Sequence, residues 1–289
     1  MNDGLKKKLE KIKHVVLDMD GTIYSGGTLF DFSKPFLAGL RKRGMGYTFL
    51  TNNCSRSVGA YLEKLAGLGI AASEENLLTS MHAMVFYLRK HHGEINRVFV
   101  LGTDGLKDDL RVAGLEVVAE GCVDELMAKG VKEEPEAVVV GFDTGMTYEQ
   151  LCEAGWWIKR GKLFLATHPD VFCPTDERTV LVDCGAVTKC LEVATGVKAD
   201  EVLGKPHEYM IAPILEKHGL KGEEVMMVGD RLMTDVMMGK RAGAVSVLVL
   251  TGDSTEEDVK ESEVMPDVVT ASLETLGKLI VEAGHSIHE

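Results

Sequence analysis

Val15-Val16-Leu17-Asp18-Met19-Asp20-Gly21-Thr22 is the stretch from which the fold is read. The run from His14 to Leu17 is too short for a helix and too uniformly apolar for a half-exposed strand. It predicts a buried parallel strand, covered on both faces. Sheets of that kind bind ligands beyond the carboxyl ends of their strands, and Asp18 and Asp20 fall at that end. Residues two apart in extended chain share a face. Gly21 permits a sharp turn immediately afterwards. Two carboxylates held together there repel each other, and a divalent cation would relieve the repulsion. An acidic turn closing a strand is the plain alternative, and this motif alone leaves both open.

The rest of the chain narrows the choice. Its 289 residues suggest two domains or one large one. A hydrophobic content of 45% is ample for a core. The formal charge of −13 argues against nucleic acid and anionic membranes as partners. The six cysteines are scattered, with no Cys-x-x-Cys pair, and most of them read as reduced, half-buried core residues. The lysine-rich, amphipathic stretch 1–13 has no apolar signal core after it, and no run approaches membrane-spanning length. The expected location is the cytoplasm.

Along the chain, Gly26-Gly27 reads as the turn of a short hairpin flap. Ser33 is placed to cap a helix that stops at Gly44. A second apolar strand, 47–50, ends in Thr51-Asn52-Asn53, a hydroxyl and two amides suited to an anion. The alternative there is a plain cap, Ser55 or Ser57, for the next helix. From about residue 80 strands and helices continue to alternate without such clusters, as expected for a second α/β domain inserted into the first. In it, Trp156-Trp157 predicts one ring in the core and one half-exposed, or else an aromatic anchor at a subunit contact. The turn-rich segment 167–176, with His168, Asp170 and Cys173, is its best candidate for touching a substrate. Polar clusters return at Gly204-Lys205-Pro206, where Pro206 suits the first turn of a helix. The last cluster is Gly229-Asp230, after a buried strand, with Asp235 five residues on at a helix start.

Four clusters in this order form one signature: Asp-x-Asp-Gly-Thr, a strand ending in Thr-Asn, Gly-Lys-Pro, and Gly-Asp-x-x-x-Thr-Asp. It resembles the haloacid dehalogenase-like hydrolases. The details Asp-Gly-Thr-Ile-Tyr, Phe-Leu-Thr-Asn-Asn and Leu-Gly-Lys-Pro, with a long insert between the second and third motifs, look like subclass IIA. That group contains para-nitrophenyl phosphate, pyridoxal phosphate, nucleotide and sugar phosphatases. The resemblance covers nearly the whole chain. It implies a Rossmann-like, three-layer α/β/α core (1–80 and 201–289) with a large inserted α/β cap (81–200).

The implied reaction is Mg²⁺-dependent hydrolysis of a small-molecule phosphate monoester. By the resemblance, Asp18 is the nucleophile and forms an aspartyl-phosphate. Asp20, kept protonated among the charges, acts as acid and then base. Asp18, Asp230 and the backbone carbonyl of Asp20 hold the metal. Thr51, Asn52, Asn53 and Lys205 hold the phosphate, while Asp235 and Gly21 support the site. The cap would close over the site and select the leaving group through His168, Asp170 and Cys173; some relatives have a histidine where Cys173 stands. A homodimer through the cap is compatible with this scheme. The rivals are a phosphorelay receiver, which lacks the insert and the second acid, and a phosphate-binding or regulatory protein on the same fold.

Overall fold

The computed structural model describes residues 2–121, 134–173 and 179–284. Cys122 and Pro174-Thr175-Asp176 lie outside the described residues. In chain order the strands are β1 (His14–Asp18), β2 (Tyr24–Ser25), β3 (Thr28–Leu29), β4 (Gly46–Thr51), β5 (Leu77–Thr79), β6 (Arg97–Leu101), β7 (Glu116–Val117) and β8 (Ala137–Val140). They continue with β9 (Leu163–Ala166), β10 (Phe172–Cys173), β11 (Leu181–Val182), β12 (Glu201–Val202), β13 (Val225–Gly229), β14 (Val245–Val249) and β15 (Val268–Thr270). The chain divides into two compact units. Met1–Thr51, Leu62–Leu78 and Lys205–Glu289 form the first; Asn52–Tyr61 and Thr79–Gly204 form the second.

The first unit is built on a six-stranded sheet in the order β15-β14-β13-β1-β4-β5. β1 runs parallel to β13 on one side and to β4 on the other. From β1 the chain moves outward through β4 and β5, then returns to β13 and moves the other way. The strand order therefore reverses beside β1, which is where open α/β sheets take their ligands. Every residue of β1, β13 and β14 is buried, odd and even positions alike. Both faces of the sheet are thus covered, which is why these strands read as continuous apolar runs rather than alternating ones. The fold is α/β, parallel sheets with helices.

Two local expectations in this unit need correction. Ser33 does not cap its helix: it is the first residue inside Ser33–Lys42, and its hydroxyl donates to the Ile23 carbonyl at 2.6 Å. Pinning the hairpin β2–β3 takes the hydroxyl that the cap would have used. Pro206 does not open a helix either. It follows Lys205 through a cis peptide, and the α-helix starts only at Ala212, with a proline in its first turn. That proline is Pro213, at a position where a missing N–H costs nothing. Ser57 is a plain cap, accepting the Ala60 N–H at 3.2 Å ahead of the helix Val58–Gly67.

His14 begins β1, buried, with Nε2 2.9 Å from the Thr48 hydroxyl and its ring centre 4.7 Å from that of His218, the planes tilted by 34°. Burial, then the charges of His218 and Lys217, lower its pKa to about 4. The unfolded chain takes up this proton near the ordinary histidine value of about 6.5, the folded chain only near 4. Stability is therefore full above that ordinary value and falls as pH drops through this window. The loss attributable to His14 is at most about 3 kcal/mol. Denaturant titrations between pH 7 and 4 should show a shallower slope in His14→Gln than in the wild type; identical slopes would refute the assignment.

The second unit has its own sheet, in the order β12-β9-β8-β6-β7, with parallel pairing throughout. β10 and β11 form a separate antiparallel hairpin. β8 is buried at every position, and Trp157 fills the core beside Phe99, Phe164 and Leu191. Trp156 is half-buried against the same core, with Arg160 4.8 Å from its ring centre. The sequence did not announce β5, β7 or β12, which span two or three residues each. The described cysteines are free, as expected, but not all belong to the core. Cys54 and Cys184 are buried, Cys173 is intermediate, and Cys152 and Cys190 are exposed on helix surfaces. No helix among the described residues is long and apolar enough to cross a membrane.

Candidate active site

Asp18 closes β1 and Asp230 follows β13 directly, so the register of neighbouring parallel strands brings both acids to one sheet edge. Asp235 arrives from the π-helical turn Leu232–Val236. Oxygens of Asp18, Asp230 and Asp235 all lie within 4.8 Å of one another, and all three side chains are buried. Lys205 enters this group from the loop after Gly204. Its Nζ donates to Asp18 Oδ1 and, at 2.7 Å, to Asp235 Oδ1. The other Asp235 oxygen accepts the Arg231 N–H at 3.2 Å. The second oxygen of Asp18 accepts the Thr22 hydroxyl at 3.3 Å.

A loop that sequence reasoning passed over completes the frame. The Asp253 N–H donates to Asp230 Oδ2 at 2.8 Å, and the Ser254 N–H to the Asp230 carbonyl at 3.1 Å. The Thr251 hydroxyl donates to the Gly21 carbonyl at 2.5 Å, tying this loop to the turn after β1. Backbone crowds the acids closely. A Cβ at Gly21 or Gly252 would collide with the Asp230 carboxylate, and one at Gly229 with that of Asp235. Gly21 also has φ of +82°, a conformation that favours glycine. The only sign of this loop in the sequence is Thr-Gly-Asp-Ser after a strand, which reads as an ordinary turn.

The charges do not balance. Burial pushes the Asp18 carboxyl well above the usual range; Lys205 pulls it down, and Asp235 and Asp230 push it up again. Burial and then Asp235 likewise raise Asp230. Burial opposes a charged Lys205, but Asp18 and Asp235 overcome it and hold the ammonium charged. Among the described residues, three buried carboxylates thus face the Lys205 ammonium, with the Arg231 guanidinium adding a weaker pull on Asp230. That donor set, all hard oxygens and short of positive charge, fits a divalent cation such as Mg²⁺.

The remaining anticipated residues divide by unit. Asp20 does not join the buried acids. Its side chain is exposed, and Oδ1 accepts the Gly26 N–H at 3.2 Å within the flap turn. Thr51 ends β4, one residue beyond the Leu50 that pairs with Asp18. In the second unit, Asn53 Oδ1 accepts the Ser55 N–H at 2.9 Å and its hydroxyl at 2.7 Å, so it shapes the turn there. Asn52 is buried; its Nδ2 donates to Asp170 Oδ2 at 3.0 Å, and its carbonyl accepts the Ser80 hydroxyl at 2.6 Å.

His168, expected to meet a substrate, is instead 1% exposed. Its Nε2 lies 2.8 Å from Asp183 Oδ1 and its Nδ1 2.9 Å from the Thr167 hydroxyl. Burial opposes a charged imidazole, yet Cys184, Asp183 and Cys54 carry His168 well above the usual histidine range. It is a core histidine that anchors its loop. Cys173 lies in β10, half-buried.

Similarities to known proteins extend over nearly the whole chain. Residues 15–116 match the model of the haloacid dehalogenase-like hydrolases, and residues 202–276 a second model described as HAD-hydrolase-like. An acid sugar phosphatase of Staphylococcus aureus (strain USA300) is 35% identical over 274 residues, 95% of this chain and 99% of that one. The structure of a 4-nitrophenylphosphatase from Thermotoga maritima superposes with a TM-score of 0.84 at 38% identity, covering 94% of this chain and 98% of that one. A glycerol phosphate phosphatase from Mycobacterium tuberculosis, in complex with magnesium, gives 0.83 at 28% identity over 93% of this chain and 78% of that one. With both motif-bearing regions matched and relatives aligned end to end, the chain belongs to the haloacid dehalogenase-like hydrolases, among the IIA-type phosphatases.

Proposed function

We propose that this protein is a Mg²⁺-dependent phosphatase of small-molecule phosphate monoesters, of the sugar phosphate, nucleotide or pyridoxal phosphate type. The observation that carries the reading is the buried group of Asp18, Asp230 and Asp235 around Lys205 at the switch point of the sheet. The side chains of Asp18 and Asp230 and the carbonyl of Asp20 would hold the metal, with Asp235 steadying Lys205. Bound there, Mg²⁺ supplies the positive charge that lets one anion approach another. An Asp18 oxygen forms a bond to phosphorus as the bond to the ester oxygen breaks, giving an aspartyl-phosphate. Lys205, Thr51 and Asn52 hold phosphate oxygens; Asn53 contributes by shaping the turn that follows Asn52. Asp20, reachable because it stands outside the buried acids, gives its proton to the departing oxygen. It then takes one from the water that cleaves the Asp18 phosphate. Residues 1–80 and 201–289 carry this chemistry, and 81–200 the choice of substrate. A cytoplasmic location and a dimer through the inserted unit complete the proposal.

The first test is hydrolysis of para-nitrophenyl phosphate and a panel of sugar phosphates, nucleotides and pyridoxal phosphate. Activity should vanish after chelation and return with Mg²⁺; no hydrolysis of any substrate with Mg²⁺ present would sink the reading. Asp20→Asn sharpens it. An alkoxide leaving from a sugar phosphate needs a proton, whereas nitrophenolate hardly does. In single turnovers the variant should slow release of the sugar by roughly 10²-fold or more, and of nitrophenol far less. Phosphorylated Asp18 should accumulate. Small, equal effects on both substrates would leave Asp20 with its backbone role alone.

A further inference from the structure

We infer that Asp170 is a positioning residue for phosphate binding, acting by fixing the carboxamide of Asn52 through the Asn52–Asp170 hydrogen bond. The inference rests on the reading of Asn52 as a phosphate ligand. A carboxylate only accepts hydrogen bonds, and an amide presents an oxygen on one side and NH₂ on the other. The 3.0 Å contact from Asn52 Nδ2 to Asp170 Oδ2 therefore decides which way the amide faces. One N–H is directed at Asp170, and the amide plane then fixes the direction of the second. With the carbonyl of Asn52 accepting from Ser80 at 2.6 Å, both the main chain and the side chain of this residue are pinned.

Asp170 is itself held rigidly, which a positioning role requires. Its carbonyl accepts the Gly185 N–H at 2.8 Å, at the start of the helix Cys184–Thr195. A Cβ on Gly185 would collide with the Pro169 carbonyl, so the close approach depends on glycine. Two residues earlier, His168 is locked onto Asp183, the cap of the same helix, at 2.8 Å. The segment His168-Pro169-Asp170 is thereby clamped to one helix end at both of its ends. The buried histidine serves the site at one remove, by fixing where the Asp170 carboxylate stands.

The test compares Asn52→Ala, Asp170→Ala, Asp170→Asn and the Asn52→Ala/Asp170→Ala double variant. The readouts are KM, kcat and inhibition by inorganic phosphate. Asp170→Ala should raise KM and the inhibition constant about tenfold, as for loss of a hydrogen bond to a charged group. Asn52→Ala should do the same, and the double variant should be no worse than Asn52→Ala, because both act through one amide. Asp170→Asn keeps an accepting oxygen and should return both constants to within about twofold of the wild type. Should the alanine variant not fold, Asp170→Ser takes its place, its hydroxyl being too short to reach Asn52. Multiplying effects in the double variant would overturn the inference. So would wild-type constants in Asp170→Ala beside raised ones in Asn52→Ala. If Asp170→Ala and Asp170→Asn both lower the constants, Asp170 acts as a repelling charge and the inference also fails. Wild-type inhibition in Asn52→Ala would instead remove the underlying reading of Asn52 as a phosphate ligand.

Discussion

Asp18→Asn is expected to abolish turnover, on the order of 10⁴-fold or more in kcat, while the protein stays folded. An amide is nearly isosteric with the carboxylate but is a poor nucleophile. The surroundings can accommodate it. The amide oxygen can face Lys205 and the NH₂ can donate to the Thr22 hydroxyl, which now donates to Asp18. Stability should not fall in the absence of metal. The folded-state pKa of Asp18 is raised, so its charge costs stability above the unfolded value of about 4, and the cost is relieved as pH falls. A neutral residue removes that cost, and the melting temperature of Asp18→Asn in chelator at pH 8 should equal or exceed the wild type's. Wild-type turnover by the purified variant would refute the nucleophile assignment. A collapse in melting temperature would refute the electrostatic account.

Lys205→Met should do the opposite to the fold. Methionine keeps most of the stem but removes the ammonium that pairs with Asp18 and Asp235, beside Asp230. Breaking a buried pair by deleting one partner costs about 3–5 kcal/mol. We expect a loss of that size in chelator at pH 8, together with a loss of activity of roughly 10²-fold or more. Two agents should restore stability. Mg²⁺ supplies charge directly. Acid does so by protonation: the raised carboxylates take up protons above the pH at which the unfolded chain does, so stability rises as pH falls from 8 towards 5. That slope is opposite in sign to the one His14 imposes. Denaturant titrations with chelator or Mg²⁺, at pH 8 and 6, separate these effects. A variant as stable as the wild type in chelator at pH 8 would mean that the acids do not depend on Lys205.

The parts of the fold legible in the sequence were those where burial imposes a pattern. β1, β13 and β14 are covered on both faces and show it as apolar runs. The polar residues at their ends then stand out, Asp18 and Asp230 among them. Lys205 had no strand of that length before it, only the two-residue β12, and depended on its place among the other motifs. Hydroxyls and prolines misled because several geometries satisfy the same residue. Ser33 had a cap to make and took the Ile23 carbonyl; Pro206 and Pro213 both stood near a helix start. His168 and Asp170 belong to one loop, and only the fold distinguishes them: one is sealed against Asp183, the other reaches Asn52, 118 residues away. The loop from Thr251 to Ser254 holds Asp230 through the backbone N–H groups of Asp253 and Ser254, and backbone donors leave no mark on residue type.

Gly21, Gly229 and Gly252 change how mutagenesis of this site must be interpreted. Alanine scanning treats each substitution as a deletion, the subtraction of whatever lay beyond Cβ. At these three positions alanine is an insertion, one carbon placed where a carboxylate already stands. A dead variant there would report a displaced acid and not a lost contact. It would mimic the loss of Asp230 or Asp235 with both residues still in the sequence. The acids are therefore specified twice, once by their own codons and once by the codons that keep three neighbouring positions empty.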